Sequence, residues 1–567
     1  MNTGQKTNKT YKKNHNNNTK PIYDLVIIGG GISGLYTLYK LGKKYPRLKI
    51  LLLESNERYG GRIYSYKESI DGQEYIMDLG AGRLGHHHNL IISLINDLHL
   101  KDKMITIPNT KTYIEVTKKN NKTFVSDKTT TKDYIMEKLN KFLFSPFVSK
   151  LGKSVLQTFY ISDLIKKYLS VSFSQKVESV FEYSSDLNDF NAYDAIEYFK
   201  YDYNKDTTFF TLKGGLQQII EGLLVAIKKL PSYKSHNIRV ANLSNVENVT
   251  RNTTTNLFKL SITDYKKSKN YTINSKYLIC AIPKNSLERL DIFKPFLRDL
   301  NTINNINLLR IYEIYDTKNG DSWFKPIEKT ITNSEVQFII PINPNNGLIM
   351  SSYSDCANAK YWNLLLAKKG IDSVKQKLNE KLNELFSIYN ITVPTSKYIK
   401  MYYWDAGVAY WKKNVDSEYL SSKLLNPAQG VFIIGENYSN YQAWCEGALM
   451  TSDNCIVKLS EELDATTLIN KQTNKQTNKQ TRKQGGRGGP KKFTMQEVKK
   501  HNKKSDAWLL INNKVYNVTN WIDKHPGGKI IMKGVGKDAT QLFLHYKHPS
   551  FVKESILPKY YIGDLAK

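Results

Sequence analysis

Three glycines, Gly29, Gly31 and Gly34, stand in the order GxGxxG directly after the apolar run Leu25 to Ile28. In that setting Gly29 permits a tight turn, Gly31 lets an anion reach the backbone, and Gly34 lets a helix approach a strand. Free N–H groups and the helix dipole then converge on a pyrophosphate. A second apolar strand, KILLLE, ends in Glu54, twenty residues beyond Gly34. A carboxylate there accepts hydrogen bonds from an adenosine ribose. A second candidate group, His86-His87-His88, follows closely. Three adjacent histidines cannot all face one metal from a regular element, and no carboxylate stands at ligand spacing in the sequence. They are expected to form a loop flanking the entrance to the site.

These residues need elements to hold them. Leu35, Leu38 and Leu41 continue at helical spacing after the glycines, which makes a βαβ unit with the strands on either side. Two more glycine turns follow, Gly60-Gly61-Arg62 and Asp78 to Gly85. A strand ending at Gly435-Glu436 and a helix beginning near Glu446-Gly447 come much later. The chain has 567 residues, 40% of them hydrophobic and 12% aromatic, which is enough for two or more cores and excludes a wholly disordered protein. Four cysteines without a CxxC support neither a disulfide scaffold nor a zinc knuckle. Lys and Arg exceed Asp and Glu by 31, which favours anionic partners but says nothing of fold.

Residues 1–20 are expected to be a disordered basic arm, and 464–490, with KQTN repeats and then GGRGGP, a flexible linker. Between them lies a domain over 21–463, and after the linker a small one over 491–567. In the latter, AWLLINNKVYNVT reads as a hairpin turning at Asn512-Asn513.

The glycine turns, with LKGGLQQIIEGLLVAI, YLICAIP and VFIIGENYSNYQAWCEGAL, resemble the flavin-containing amine oxidoreductases over roughly Pro21 to Leu463. The resemblance implies an α/β Rossmann-like FAD-binding domain from about 21–95, 212–285 and 425–463. Into it is inserted an α+β substrate domain from about 96–211 and 286–424. It implies that Gly29, Gly31, Gly34, Glu54, Gly61 and Arg62 hold the ADP half of a non-covalent FAD, and that the backbone of Val246 meets adenine. Gly435 and Glu436 would contact the ribityl-phosphate region, and the Gly447 turn would aim N–H groups at the flavin. Trp444 matches a cage aromatic before the last helix, and Trp404, Tyr410 and Trp411 match the aromatic strand before it. GAGRLG resembles the turn in amino-acid oxidases whose arginine, here Arg83, forks onto a substrate carboxylate. The family usually keeps a lysine that holds a water near flavin N5, and Arg310 stands in its place, which puts rapid reaction with oxygen in doubt.

The last 75 residues or so, with His525-Pro526-Gly527-Gly528 intact, resemble cytochrome b5. That implies a small α+β module holding haem b between His525 and His548, with His545 as the competitor for the second position, and it lacks the usual membrane tail. At random-coil scaling the linker would hold such a module within ~30 Å of the first domain. The combination implies oxidation of an amine or amino acid by transfer from the α-carbon to flavin, with oxygen, the fused haem or another acceptor taking the electrons. Two other readings stay open: a structural protein docking weakly on nucleic acid or other anions through its basic tails, and a flavin desaturase or porphyrinogen-type oxidase. The absence of a signal or a membrane-length apolar run reads as soluble and cytoplasmic, or as virion-packaged if the AT-rich style of composition comes from a large DNA virus.

Overall fold

The structure, a computed structural model, describes residues 21–108, 111–203, 207–480, 491–525, 528–545, 552 and 556–566. It forms two compact units, residues 1–457 and 458–567. Among the described residues no helix is long and apolar enough to cross a membrane.

The first unit is built on two seven-stranded sheets. In the first, strands Ile22–Ile28, Ile50–Leu53, Ile238–Ala241, Lys269–Cys280 and Val431–Ile433 run parallel to their neighbours. Phe258–Asp264 and Ser244–Arg251 extend it antiparallel. Leu25 to Ile28 and Ile50 to Leu53 are buried throughout, as expected of parallel strands covered on both faces. The helix Ile32–Lys44 follows the first strand and buries Leu35, Leu38 and Leu41.

The second sheet runs in the order Tyr398–Trp411, Ile303–Ile314, Leu348–Asp355, Phe338–Asn343, Thr330–Thr332, Thr112–Lys119, Lys122–Asp127. The long helix Cys356–Phe386 packs on it through Trp362, Leu378, Leu382 and Phe386. A group of helices from Thr129–Leu143 to Ala192–Asp202 shares another core with it, through Tyr113, Phe338 and Tyr410. A small three-stranded sheet joins Leu84–Gly85 to Phe209–Leu212 and Met104–Ile107. Its register, Gly85 against Phe209, brings the turn carrying Arg83 beside Phe209.

One expectation is corrected. The helix Cys445–Gln480, which begins in the first unit, runs on through residues placed in the linker. Extending a helix adds one hydrogen bond per residue fixed, so a nucleated helix propagates cheaply, and Lys and Gln are good helix formers. Residues 481–490 and the basic arm 1–20 lie outside the described residues.

The second unit holds a five-stranded sheet in the order Lys492–Phe493, Tyr561–Leu565, Lys514–Asn517, Asp506–Ile511, Asn502–Lys503. Ile511 pairs with Lys514, and Asn512 and Asn513 both have positive φ, which is the two-residue I′ turn of the expected hairpin.

The packing at Gly34 gives a direct test. A Cβ there would lie 2.0 Å from the Gly29 carbonyl oxygen. Gly34→Ala should therefore cost about 1–3 kcal/mol of unfolding free energy, read as an earlier urea midpoint, and lower the nucleotide content after purification. Unchanged stability would mean that helix and strand do not touch at this point.

Candidate active site

The first strand ends at Gly29, whose φ is +107° and whose Cβ would strike the Ala281 carbonyl. Gly31 begins the helix Ile32–Lys44 with no side chain capping the helix N-terminus. A Cβ on Gly31 would meet nothing within 4 Å, and Gly61, φ +57°, lies against Gly31. Unsatisfied helix N–H groups beside a glycine facing open space form a cradle for an anion, so the residues present fit the pyrophosphate of a dinucleotide. Glu54 is buried, accepting from Gly30 N at 2.7 Å through Oε2 and from Asn56 N at 2.9 Å through Oε1. Val246 stands opposite Ile262, next to a bulge.

Arg62 and Glu436 are joined to each other. Arg62 Nη1 donates to Glu436 Oε2 at 2.6 Å and to the Gly407 carbonyl at 3.1 Å, while Nη2 donates to Asn437 Oδ1 at 3.1 Å. Glu436 Oε1 accepts from Ala409 N at 3.0 Å and Ala443 N at 2.7 Å. Gly435, φ +129°, precedes it with only distant neighbours, the nearest 3.9 Å from a notional Cβ. Gly447 lies in the first turn of Cys445–Gln480, where a Cβ would collide with the Tyr441 carbonyl at 1.7 Å. Close backbone packing therefore requires glycine there by itself. The neighbouring Glu446 accepts from Leu90 N and Ile91 N at 2.8 and 2.9 Å, capping the helix Asn89–Asp97.

Beyond the cradle lies an aromatic chamber. Trp444 is buried and stacks on Phe209, centroids 5.7 Å apart and planes 12° from parallel. The Arg83 guanidinium sits over both rings, 4.6 Å from Phe209 and 5.6 Å from Trp444. It makes no ion pair or hydrogen bond among the described residues, although Tyr183, Tyr198, Tyr353 and Glu182 share its electrostatic neighbourhood. Arg83 and Tyr183 remain part-exposed among buried neighbours.

Arg310 and Trp404 act on the turn behind Arg83. Arg310 Nη1 donates to the Asp78 carbonyl at 2.5 Å and its guanidinium lies 4.5 Å from the Tyr353 ring. Tyr312 Oη donates to the same carbonyl at 2.9 Å, and Trp404 Nε1 donates to the Leu79 carbonyl at 2.7 Å. Trp404 thus clamps a turn. Trp411 is wholly buried with Nε1 on the Ser439 carbonyl, and Tyr410 donates to Asp186 Oδ1 at 2.6 Å, so both belong to the packed cores.

The histidine run is corrected by the structure. His86 faces solvent, whereas His88 is fully buried and its ring meets Trp444 edge-on at 4.8 Å. Asp202, the last residue of the helix Ala192–Asp202, comes to the two inner histidines, and the ligand atoms of His87, His88 and Asp202 lie within 4.8 Å of one another. A carboxylate more than a hundred residues away is invisible to local spacing. Asp202 accepts from Trp444 Nε1 at 3.1 Å, and both His87 Nε2 and His88 Nε2 meet Tyr441 Oη, at 2.9 and 3.2 Å. Burial pushes His88 down to about 3 and Asp202 up to about 8. Phe209, Asp202 and Tyr441 are the site residues that sequence reasoning missed.

In the second unit, His525 follows the turn Thr519–Lys524, and its Nδ1 lies 3.3 Å from the Gly528 carbonyl. Such a bond sets the tautomer of an imidazole that ligates through Nε2, so His525 fits a haem ligand. His548 lies outside the described residues.

Comparison with known proteins bears on the fold and family of both units. The family described as flavin containing amine oxidoreductase matches residues 32–455, and the cytochrome b5-like heme/steroid binding domain matches residues 494–566. Two solved structures of engineered putrescine oxidases cover 78% and 77% of this chain and 99% of their own. Their TM-scores are 0.57 and 0.55 at 14% identity, a likeness of fold. Over 75 residues the chain is 51% identical to an acyl-lipid (8-3)-desaturase of Physcomitrium patens, covering 13% of this chain and 15% of that protein. Over 79 residues it is 44% identical to the seed isoform of cytochrome b5 of Nicotiana tabacum, covering 14% of this chain and 58% of that protein.

The Arg62–Glu436 pair yields a prediction. Glu436→Gln keeps the shape but removes the charge opposite Arg62, and should cost about 1–3 kcal/mol of stability. Thermal unfolding followed by flavin release should show both events moving to lower temperature together. Release at an unchanged temperature would mean that the pair does not support the site.

Proposed function

The chain belongs to the flavin-containing amine oxidoreductases, and on that footing we propose that it oxidises the α-carbon of an L-amino acid and passes electrons on through its b5-like module. The cofactors are FAD in the first unit and haem in the second. When bound, FAD supplies a two-electron acceptor for hydrogen leaving the α-carbon, and haem a one-electron acceptor. The cradle of Gly29, Gly31, Gly34 and Gly61 would hold the FAD pyrophosphate non-covalently, with Glu54 at the ribose and Val246 at the adenine. The Gly435-Glu436 and Gly447 turns would lie toward the flavin.

The observation that carries the substrate class is Arg83. A buried-side guanidinium without a protein carboxylate, laid over Phe209 and Trp444, is a cation waiting for an anion. A planar fork binds a carboxylate through two parallel hydrogen bonds, and flanking rings fix its plane and exclude water. A substrate carboxylate held there brings its α-carbon between the chamber rings, with Trp444 as the wall toward the last helix. Arg310 supports the reading from behind: its bond to the Asp78 carbonyl steadies the turn that carries Arg83. The same bond occupies the group standing where relatives keep a water-holding lysine, and a guanidinium does not give up its proton. Oxygen is then a slow acceptor and the haem the preferred one.

Two measurements test this. Arg83→Lys keeps the charge but loses the fork, and should lower kcat/KM for amino acids about 100-fold while leaving carboxylate-free amines nearly unaffected. Equal losses on both classes would remove the carboxylate reading. In anaerobic stopped flow, amino acid should bleach the flavin band and then shift the Soret band, and His525→Ala should retain only the first event. A Soret band that never moves after the flavin is bleached would remove the relay.

A further inference from the structure

Asp202 is a carboxyl in an unusual position. It ends the helix Ala192–Asp202, where the helix dipole disfavours negative charge. Its side chain is only 2% exposed. Oδ2 is satisfied by the indole N–H of Trp444, but Oδ1 is buried with no hydrogen-bond partner among the described residues. Leaving such an oxygen unmatched costs stability, and a fold tolerates it where a ligand completes it.

A cation would complete it. Arg83 and Asp202 address the same indole, Arg83 over its face and Asp202 at its N–H edge, yet among the described residues they form no ion pair with each other. An unpaired cation and an unfilled carboxyl oxygen, held apart across one ring, match the two ends of a zwitterion. Beside Oδ1, at 3.7 Å, lies His87 Nε2, too far for a hydrogen bond. The tautomers around it follow from the network. Gly85 N donates to His88 Nδ1 at 3.0 Å, so His88 carries its proton on Nε2 and donates to Tyr441 Oη. Tyr441 then donates its own proton to His87 Nε2. His88 therefore offers no lone pair toward Asp202, which disfavours a metal among these three side chains. His87 is an acceptor, and with its side chain 26% exposed it reaches solvent.

We propose that Asp202 Oδ1 receives the substrate's ammonium group and acts as the base that deprotonates it. This rests on the amino-acid reading above and deepens it. In the step, one N–H bond of the ammonium breaks and an O–H bond forms on Asp202, leaving a neutral amine whose lone pair can support departure of the α-hydrogen. Asp202 then gives up its proton to water that enters as product leaves, and regains its charge. No further reactant is consumed.

The groups facing Asp202 are Arg83 from the glycine turn, His87 and His88 from the following loop, Tyr441 and the Trp444 indole from the loop before Cys445–Gln480, Asp186 from the short helix Ser184–Asn188, and Tyr198 from its own helix. Burial raises the Asp202 carboxyl to about 8, against the pull of Arg83 and the indole. A base must be ionised to work, so kcat/KM of the free enzyme should climb as pH rises through that value.

The experiment compares wild type with Asp202→Asn, which keeps an oxygen for the Trp444 N–H. Matching flavin and Soret spectra show that the variant is folded and loaded. Asp202→Asn should slow flavin bleaching by amino acid at least about 100-fold at pH 7.5 and move the pH break to the ionisation of the amine itself. Affinity for the amine-free carboxylic acid of the same side chain should change less than about 3-fold, since Arg83 is untouched. Bleaching at the wild-type rate with the wild-type pH break would overturn the proposal. If wild type ignores amino acids but oxidises a simple amine, the carboxylate reading falls, and the same comparison on that amine decides for or against Asp202. If nothing bleaches the flavin, propylammonium binding, followed by perturbation of the flavin spectrum, takes over. Weaker binding to Asp202→Asn upholds the site and equal binding ends it.

Discussion

One carboxylate governs the geometry of the first unit. Glu436 takes the Arg62 guanidinium on one oxygen and the amides of Ala409 and Ala443 on the other. It thereby ties the N-terminal glycine turn, the end of the long strand Tyr398–Trp411 and the approach to the last helix. Ala443 has φ +67°, a conformation that a residue bearing a Cβ seldom adopts without support. The bond to Glu436 supplies that support, and the next residue is Trp444. Placement of Trp444 is thus tied to the Arg62–Glu436 ion pair, and the segments it joins form one mechanical object.

Charge is distributed to suit that object. Around the chamber the polar groups are mostly satisfied: Asp186 by Tyr203 and Tyr410, Asp78 by backbone and Ser65, Glu446 by two amides. Two groups nearby are left without a hydrogen-bonded partner for a charged atom among the described residues. Arg83 and Asp202 are such groups, and they share an indole. A low-dielectric chamber strengthens any charge they meet and sharpens the distinction between a zwitterion and a neutral molecule.

The parts of this protein that obey local rules were legible in the sequence. Gly29, Gly31 and Gly34 announce a strand–turn–helix because each must avoid a Cβ within a few residues of chain, and the structure finds Gly34 against the Gly29 carbonyl as that rule requires. The Asn512-Asn513 turn was legible for the same reason. What could not be read was tertiary. Asp202 meets His87 only because the helix Ala192–Asp202 and the small sheet around Phe209 converge there, and no periodicity records that meeting. Trp404, Tyr410 and Trp411 looked alike in sequence, yet Trp404 clamps a turn, while Tyr410 and Trp411, neighbours on opposite faces of one strand, fill two different cores. The Lys- and Gln-bearing repeats after residue 463 misled in the other direction: their composition suits a linker, and a helix already under way carries on through them.

The central parallel sheet draws its strands from 22–53, 238–280 and 431–433. During synthesis the ribosome therefore releases most of the polypeptide before Val431–Ile433 can dock beside Lys269–Cys280. Until then an apolar parallel edge stays uncovered and Arg62 lacks its counter-ion. Contacts of such long sequence separation form slowly and leave nascent chains prone to clumping. Completion of this sheet is consequently a late event in biogenesis, with a chaperone's protection of the open edge as its natural complement.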